Sequence, residues 1–340
     1  MWSGLISGFL FGFLLKRSRI CIAGGLRDVY MEKKNTGLIV VLLIITAQSF
    51  IYFSLVAQGL INGPKAGQFS LVATVIGGLL FGLGAVISNG CITSSLIKAG
   101  DGRLAGLLSI LSFMIFTSAT RQGFLAPLSG ALKKLVIVPD TLAVSLTVSP
   151  VIIAAIAFII VAFWALSDKR AEKPAFTLPA EYTGARHLFF EKIWDRRVTA
   201  LIIGIVAGFS YLLARVTTGN ASGWGITTPL FTWFQVVSST GKLTWGSFFV
   251  LGIVLGSFVC TKGSKEFSFQ GTDGKTLVCA FIGGILMSFG AVTGGGCMVG
   301  HGLAGTARLS VQSWVGLISI IAGIWTGVRL LYSDSIVVKK

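Results

Sequence analysis

The chain has 340 residues, of which 54% are hydrophobic and 12% charged, with a mean hydropathy of +0.85 and a net charge of +16. Soluble domains carry about 25% charged residues, so a soluble globular fold is excluded and lipid is the expected solvent. The bases stand in short clusters between apolar runs, which reads as membrane sidedness and a field suited to an anion, with no nucleic-acid partner.

In chain order, the first apolar run covers 2–15. No basic segment precedes it and Lys16-Arg17-Ser18-Arg19 follows, so it reads as a membrane helix and not as a cleavable signal. Further runs long enough to cross lie at 37–57, 70–88, 104–120, 148–166, 198–216, 244–261, 277–293 and 311–331, nine in all with the first. Two weaker segments, 122–138 and 223–240, contain Pro127, Pro229 and several glycines and are expected to be re-entrant or partial helices. The fold class is therefore all-α integral membrane, with about nine transmembrane helices plus short re-entrant ones. With the N-terminus outside, twenty Lys and Arg fall on the inner side and seven on the outer, so the C-terminus is expected inside.

The chain repeats itself. Residues 76–91 match 282–297 at nine of sixteen positions, and 5–13 match 201–209 at five of nine. This divides the chain into a first membrane repeat (1–166), a cytoplasmic linker (167–197) and a second repeat (198–340). Five spans precede the second repeat, so it should be inverted relative to the first. Inverted repeats are a transporter signature, with the substrate site at the repeat interface near broken helices.

The repeated element ends in glycine and cysteine: Asn89-Gly90-Cys91 and Gly294-Gly295-Gly296-Cys297. Such glycines break a helix, and the freed amides of the next helix start can bind an anion. Cys21 precedes a third glycine break at Gly24-Gly25, and under the first-helix offset of 196 its counterpart is Thr217. Thiols buried in apolar surroundings stay protonated, so Cys21, Cys91 and Cys297 would offer weak S–H contacts that let a sulfur- or selenium-bearing anion move on. Cys260 and Cys279 read as small hydrophobes. No cofactor is implied, and a metal site is disfavoured because His301 alone stands near Cys297. His301 either donates to an anion or caps a loop. Arg27-Asp28 and Asp101-Gly102-Arg103 read as local charge pairs at a membrane edge, with a wider role in attracting the anion open.

Four segments, "KRSRICIAGGLRD" (16–28), "GGLLFGLGAVISNGCITSSLIKAGDG" (77–102), "GWGITTP" (223–229) and "GGILMSFGAVTGGGCMVGHGLAGTARLS" (283–310), resemble the YeeE/YedE family of sulfur-compound membrane transporters. The resemblance implies an hourglass of nine spans with short helices dipping to its centre, in a bacterial inner membrane. It implies import of thiosulfate, relayed by three thiols that map onto Cys21, Cys91 and Cys297. It also implies a small cytoplasmic sulfur-carrier partner of the TusA-like class. Here Asn89 stands where the family often has glycine, and Lys98 where arginine is commoner. The alternatives are a transporter of another sulfur or selenium oxyanion, and an intramembrane thiol redox enzyme; the transporter, a non-enzyme, is the preferred reading.

Overall fold

The computed structural model describes residues 1–64, 67–140, 149–168, 184, 186–269 and 271–332. Most of the linker expected at 167–197 lies outside them. The first half contains α1 (Trp2–Ser18), α2 (Ile22–Glu32), α3 (Thr36–Ala57), α4 (Leu71–Ile87), α5 (Ile92–Gly100), α6 (Leu104–Arg121), α7 (Ala126–Lys133) and α8 (Pro150–Ser167). The second contains α9 (Arg196–Thr218), α10 (Thr227–Val237), α11 (Trp245–Gly263), α12 (Gly274–Gly294) and α13 (Val311–Leu331). Eight described stretches are long and apolar enough to cross a membrane, one of them running from Leu71 to Gly100 through a break. α1, at 17 residues, reaches about 25 Å at ~1.5 Å per residue, a little short of the hydrocarbon core. The chain is thus an all-α integral membrane protein.

The segments expected to be partial are short helices, α7 and α10, the first with Pro127 in its opening turn and the second with Pro229. One element escaped the apolar pattern. β1 (Gly67–Ser70) and β2 (Ile137–Asp140) pair antiparallel, with Gly67 opposite Asp140 and Ser70 opposite Ile137. Ser70 then caps α4, accepting from the Ala73 amide at 3.2 Å.

Small residues set the packing, because apolar helices in lipid associate by close approach and not by hydrophobic burial. α1 runs along α11 in the same direction: Gly4, Gly8 and Gly12 face the backbones of Trp245, Phe249 and Ile253. The second half does the same to the first, with Gly204 of α9 against Ala47 of α3 and Gly208 against Ile51. Each half therefore lays its first helix on the other half's second long helix.

At the centre, α4 and α12 cross antiparallel. A Cβ on Gly84 would lie 2.7 Å from the Gly283 carbonyl oxygen, and one on Gly283 would lie 2.7 Å from that of Gly84. Gly77 and Gly290 exchange the same contact at 2.6 and 2.5 Å. Gly77 and Gly283 are repeat counterparts, as are Gly84 and Gly290. Counterpart helices that meet antiparallel, residue for residue, are what two inverted halves produce.

Candidate functional site

Both thiol-bearing breaks sit at the ends of this central pair. α4 ends at Ile87, after which Asn89 and Gly90 take φ of 51° and 145°. α12 ends at Gly294, after which Gly295 takes φ of 90°. Asn89 and Gly295 are spaced by the same 206 residues as Cys91 and Cys297, so the left-handed kink is itself repeated. Asparagine is among the few side-chain-bearing residues that tolerate it. Because α4 and α12 are antiparallel, the two kinks open on opposite ends of the pair.

One end holds a cavity of about 420 Å³ whose wall includes Cys21, Gly24, Gly25, Asn89 and Gly90. Cys21 is the N-cap of α2, its Sγ accepting from the Gly24 amide at 3.2 Å. The same Sγ stands 3.1 Å from Ser94 Oγ, which is 3.8 Å from Cys91 Sγ. Ser94 therefore links two of the three thiols. Its only signal in the sequence is its place one turn after Cys91, which was not enough to single it out. Cys91 itself is fully buried, lines neither this cavity nor the next, and caps α5 without a side-chain bond.

Charge gathers here. Arg27 bonds Asp28 at 3.3 Å, the local pair expected, and also donates to Asn89 Oδ1 at 3.1 Å, tying α2 to the kink. Lys98 Nζ donates to the Asn89 carbonyl at 2.8 Å. Asp101 does not pair with Arg103 as expected. It takes Lys16 at 2.9 Å and the hydroxyls of Ser257 and Thr261 at 3.3 and 2.6 Å. Gly25 has a packing duty besides: its Cβ would lie 2.9 Å from Gly37 Cα.

The other end holds a cavity of about 630 Å³ lined by Cys297, Gly295, Gly296, Arg121, Lys133 and Thr227 among others, with no Asp or Glu among its described lining residues. Arg121 donates to Thr228 Oγ1 at 2.9 Å and lies 4.8 Å from the Phe231 ring centre. Burial, and after it the charge of Arg121, pulls the Lys133 ammonium below the ordinary lysine range. Thr227 Oγ1 is buried without a hydrogen-bond partner. Arg121, Lys133 and Thr227 were not picked out from the sequence, where the first two read as stray outer-side bases. A group able to hold an anion at this end is two cations, an unused hydroxyl and a thiol.

His301 is buried with both ring nitrogens engaged: Nε2 to the Gly294 carbonyl at 3.0 Å and Nδ1 to Ser313 Oγ at 3.1 Å. A carbonyl can only accept, so Nε2 carries the proton and Nδ1 accepts from the serine. That geometry fits the loop-capping alternative for His301. Cys260 and Cys279 line none of the cavities described here.

Thr217 does not occupy the place of Cys21. α9 runs on to Thr218, so Thr217 lies inside a helix, where its hydroxyl meets Ser3 Oγ at 2.9 Å. The element matching α2 is α10, which has the same length of 11 residues and the same position before the second long helix. Its N-cap is Ile226, fully buried and without a side-chain cap. The true asymmetry is thus thiol against isoleucine.

A family model described as "Sulphur transport" matches residues 17–326. A protein of Escherichia coli (strain K12) named thiosulfate transporter TsuA is 37% identical over 97% of this chain and 94% of its own length. One of the same name from Spirochaeta thermophila is 30% identical over 98% of this chain and 99% of its own. The probable transporter YedE of Escherichia coli is 30% identical over 29% of this chain. Repeated kinks with thiols behind them, bordering two cavities at opposite ends of the central helix pair, therefore come with full-length kinship, and the chain belongs to the sulphur transport family.

Proposed function

We propose that this protein imports thiosulfate across the bacterial inner membrane, as a transporter and not an enzyme. The observation that carries the reading is the arrangement of the thiols. Cys297 lines one cavity, Cys21 lines the opposite one, and Cys91 is buried behind the kink that borders the second. The N-terminus is assigned outside, which places the Cys297 cavity on the periplasmic face and the Cys21 cavity, with its denser basic surroundings, on the cytoplasmic face.

Thiosulfate would be drawn into the outer cavity by Arg121 and Lys133 and meet Cys297 beside Gly295 and Gly296. Protonated thiols make weak bonds to its terminal sulfur, so the ion is dehydrated stepwise without being trapped. It then passes Cys91 and Ser94 to Cys21 and leaves past Gly24, Gly25 and the Arg27–Asp28 pair, with His301 holding the outer kink in shape. Asp101, the one buried acid in the inner cavity's described wall, is tied up by Lys16, Ser257 and Thr261, which favours a channel-like route with no proton cycle. A cytoplasmic TusA-like sulfur carrier is the proposed recipient.

Uptake of labelled thiosulfate into vesicles of purified protein tests the path. Cys91→Ala and Cys297→Ala should abolish uptake, and Cys260→Ala should not. Wild-type rates in the first two, with loss in the third, sink the reading.

A further inference from the structure

A third cavity, of about 320 Å³, adjoins the Cys297 cavity and shares Gly295 and Gly300 with it. Trp224, Arg308, His301 and Gln312 lie in its wall. No thiol does. Two of its donors are buried and unused: Trp224 Nε1 and Arg308 Nε have no hydrogen-bond partner. Trp224 is only 2% exposed, with its ring held against Phe11 at 4.5 Å and Phe249 at 5.2 Å. A buried indole N–H without an acceptor carries a desolvation cost, and so does a guanidinium nitrogen; two in one cavity ask for a ligand that accepts from both.

The remaining polar groups leave these two donors as the unmet ones. His301 has spent both nitrogens, and Gln312 Nε2 donates to the Gly294 carbonyl at 3.2 Å. Asp140 is the one acid in the described wall, but each of its carboxylate oxygens is committed at the start of α13, to the Val311 amide at 2.6 Å and to Ser310 Oγ at 2.7 Å. No carboxylate lies within ion-pair distance of Arg308 among the described residues. The cavity therefore has a guanidinium outside ion-pair distance of its one carboxylate, whose two oxygens are already engaged, and an idle N–H on each of two side chains.

We propose that this cavity is a second anion site, one that takes a tetrahedral dianion by its oxygens. Nitrogen donors recognise oxygen and are indifferent to a terminal sulfur, so sulfate should bind here as well as thiosulfate. The site is an antechamber: it concentrates oxyanions beside Gly295, and discrimination for sulfur is left to the thiol-lined cavity next to it. It rests on the transport reading for its role, and on the unpartnered donors alone for its occupancy.

The probe is labelled sulfate, in equilibrium binding to the purified full-length protein. Wild type should bind it saturably, and Arg308→Gln and Trp224→Phe should each weaken it about tenfold, the scale of one lost bond to a charged partner. Trp224→Phe keeps the ring against Phe11 and deletes only the N–H, so it decides the matter if Arg308→Gln does not fold. Weakening in either folded variant upholds the site. Absence of saturable binding to wild type overturns it, as does wild-type binding in the folded variants, including the case where binding is lost instead in Arg121→Gln. Thiosulfate uptake by Cys297→Ala is measured alongside. Full uptake there, with sulfate binding still dependent on Trp224 or Arg308, would fail the thiol path and leave this site standing.

Discussion

The Sγ of Cys21 and the Oγ of Ser94 lie 3.1 Å apart, across 73 residues of chain. Ser94 Oγ also stands 3.8 Å from Cys91 Sγ, so one hydroxyl spans the gap between two thiols. If an ion passes from Cys91 to Cys21, Ser94 is the group that fills the interval. Ser94→Ala should cut thiosulfate uptake several-fold with no loss of folded protein, and Ser94→Cys should restore most of it. Wild-type uptake by Ser94→Ala in vesicles would remove the serine from the path.

The Cys297 cavity should work as a cationic funnel. Arg121→Gln and Lys133→Gln are each expected to raise the thiosulfate concentration needed for half-maximal uptake, and to flatten its dependence on ionic strength, since steering by exposed charge is screened within about 10 Å at ~0.1 M salt. Flux measurements at two salt concentrations read both effects.

Lys133 gives that funnel a pH limit. Burial, then Arg121, lowers its pKa, so it loses its proton at a lower pH than an ordinary lysine. Uptake should therefore fall on the alkaline side earlier than free-lysine titration predicts. Lys133→Arg, which stays charged, should abolish that early fall. An unchanged profile in Lys133→Arg assigns the alkaline limb to another group.

The central crossing sets the tolerance of the fold. Gly84→Ala or Gly283→Ala forces a methyl to within 2.7 Å of the opposing carbonyl, and overpacking of this kind costs about 1–3 kcal/mol. Either variant should lower the melting temperature of the purified protein by several degrees. Gly130→Ala, at a glycine with nothing within 4 Å of its Cβ position, should not.

Asp101→Asn is expected to destabilise more strongly. Its carboxylate binds Lys16 at 2.9 Å, and both side chains are largely buried, at 10% and 16% exposure. Breaking one partner of such a pair costs about 3–5 kcal/mol when the other charge is left alone; Lys16 keeps Glu266 at 3.4 Å, so the loss lies toward the lower end of that range. The melting temperature should fall and uptake should fall with the amount of folded protein, not with the rate per molecule; a reduced rate per folded molecule would instead give Asp101 a part in conduction.

Much of this was legible in the sequence because the chain carries two copies of one plan. The repeated Gly-Cys ending marked both kinks. What stayed hidden depends on distances between segments. Ser94 is one polar residue among several until α2 brings Cys21 to it. Asp101 looked local because Arg103 is near in sequence, whereas Lys16 reaches it from α1. Arg121 and Lys133 looked like topology signals, since a base at the end of an apolar run is ordinary; only the fold puts them beside Cys297. Thr217 was matched to Cys21 by a constant offset, which failed because α9 runs on to Thr218 while α1 stops at Ser18. The two short strands lack the length to show a period of their own.

The reciprocal contact of Gly84 with Gly283 also bears on one of the two places where the copies still resemble each other. Residues 76–91 and 282–297 agree at nine of sixteen positions, and they are the segments that touch their own counterparts. At such an axis a change in one copy alters the surface that the other copy must fit, so drift on either side is checked by its twin. Cys21 and Ile226 face no such mirror, and there the halves were free to take up different trades.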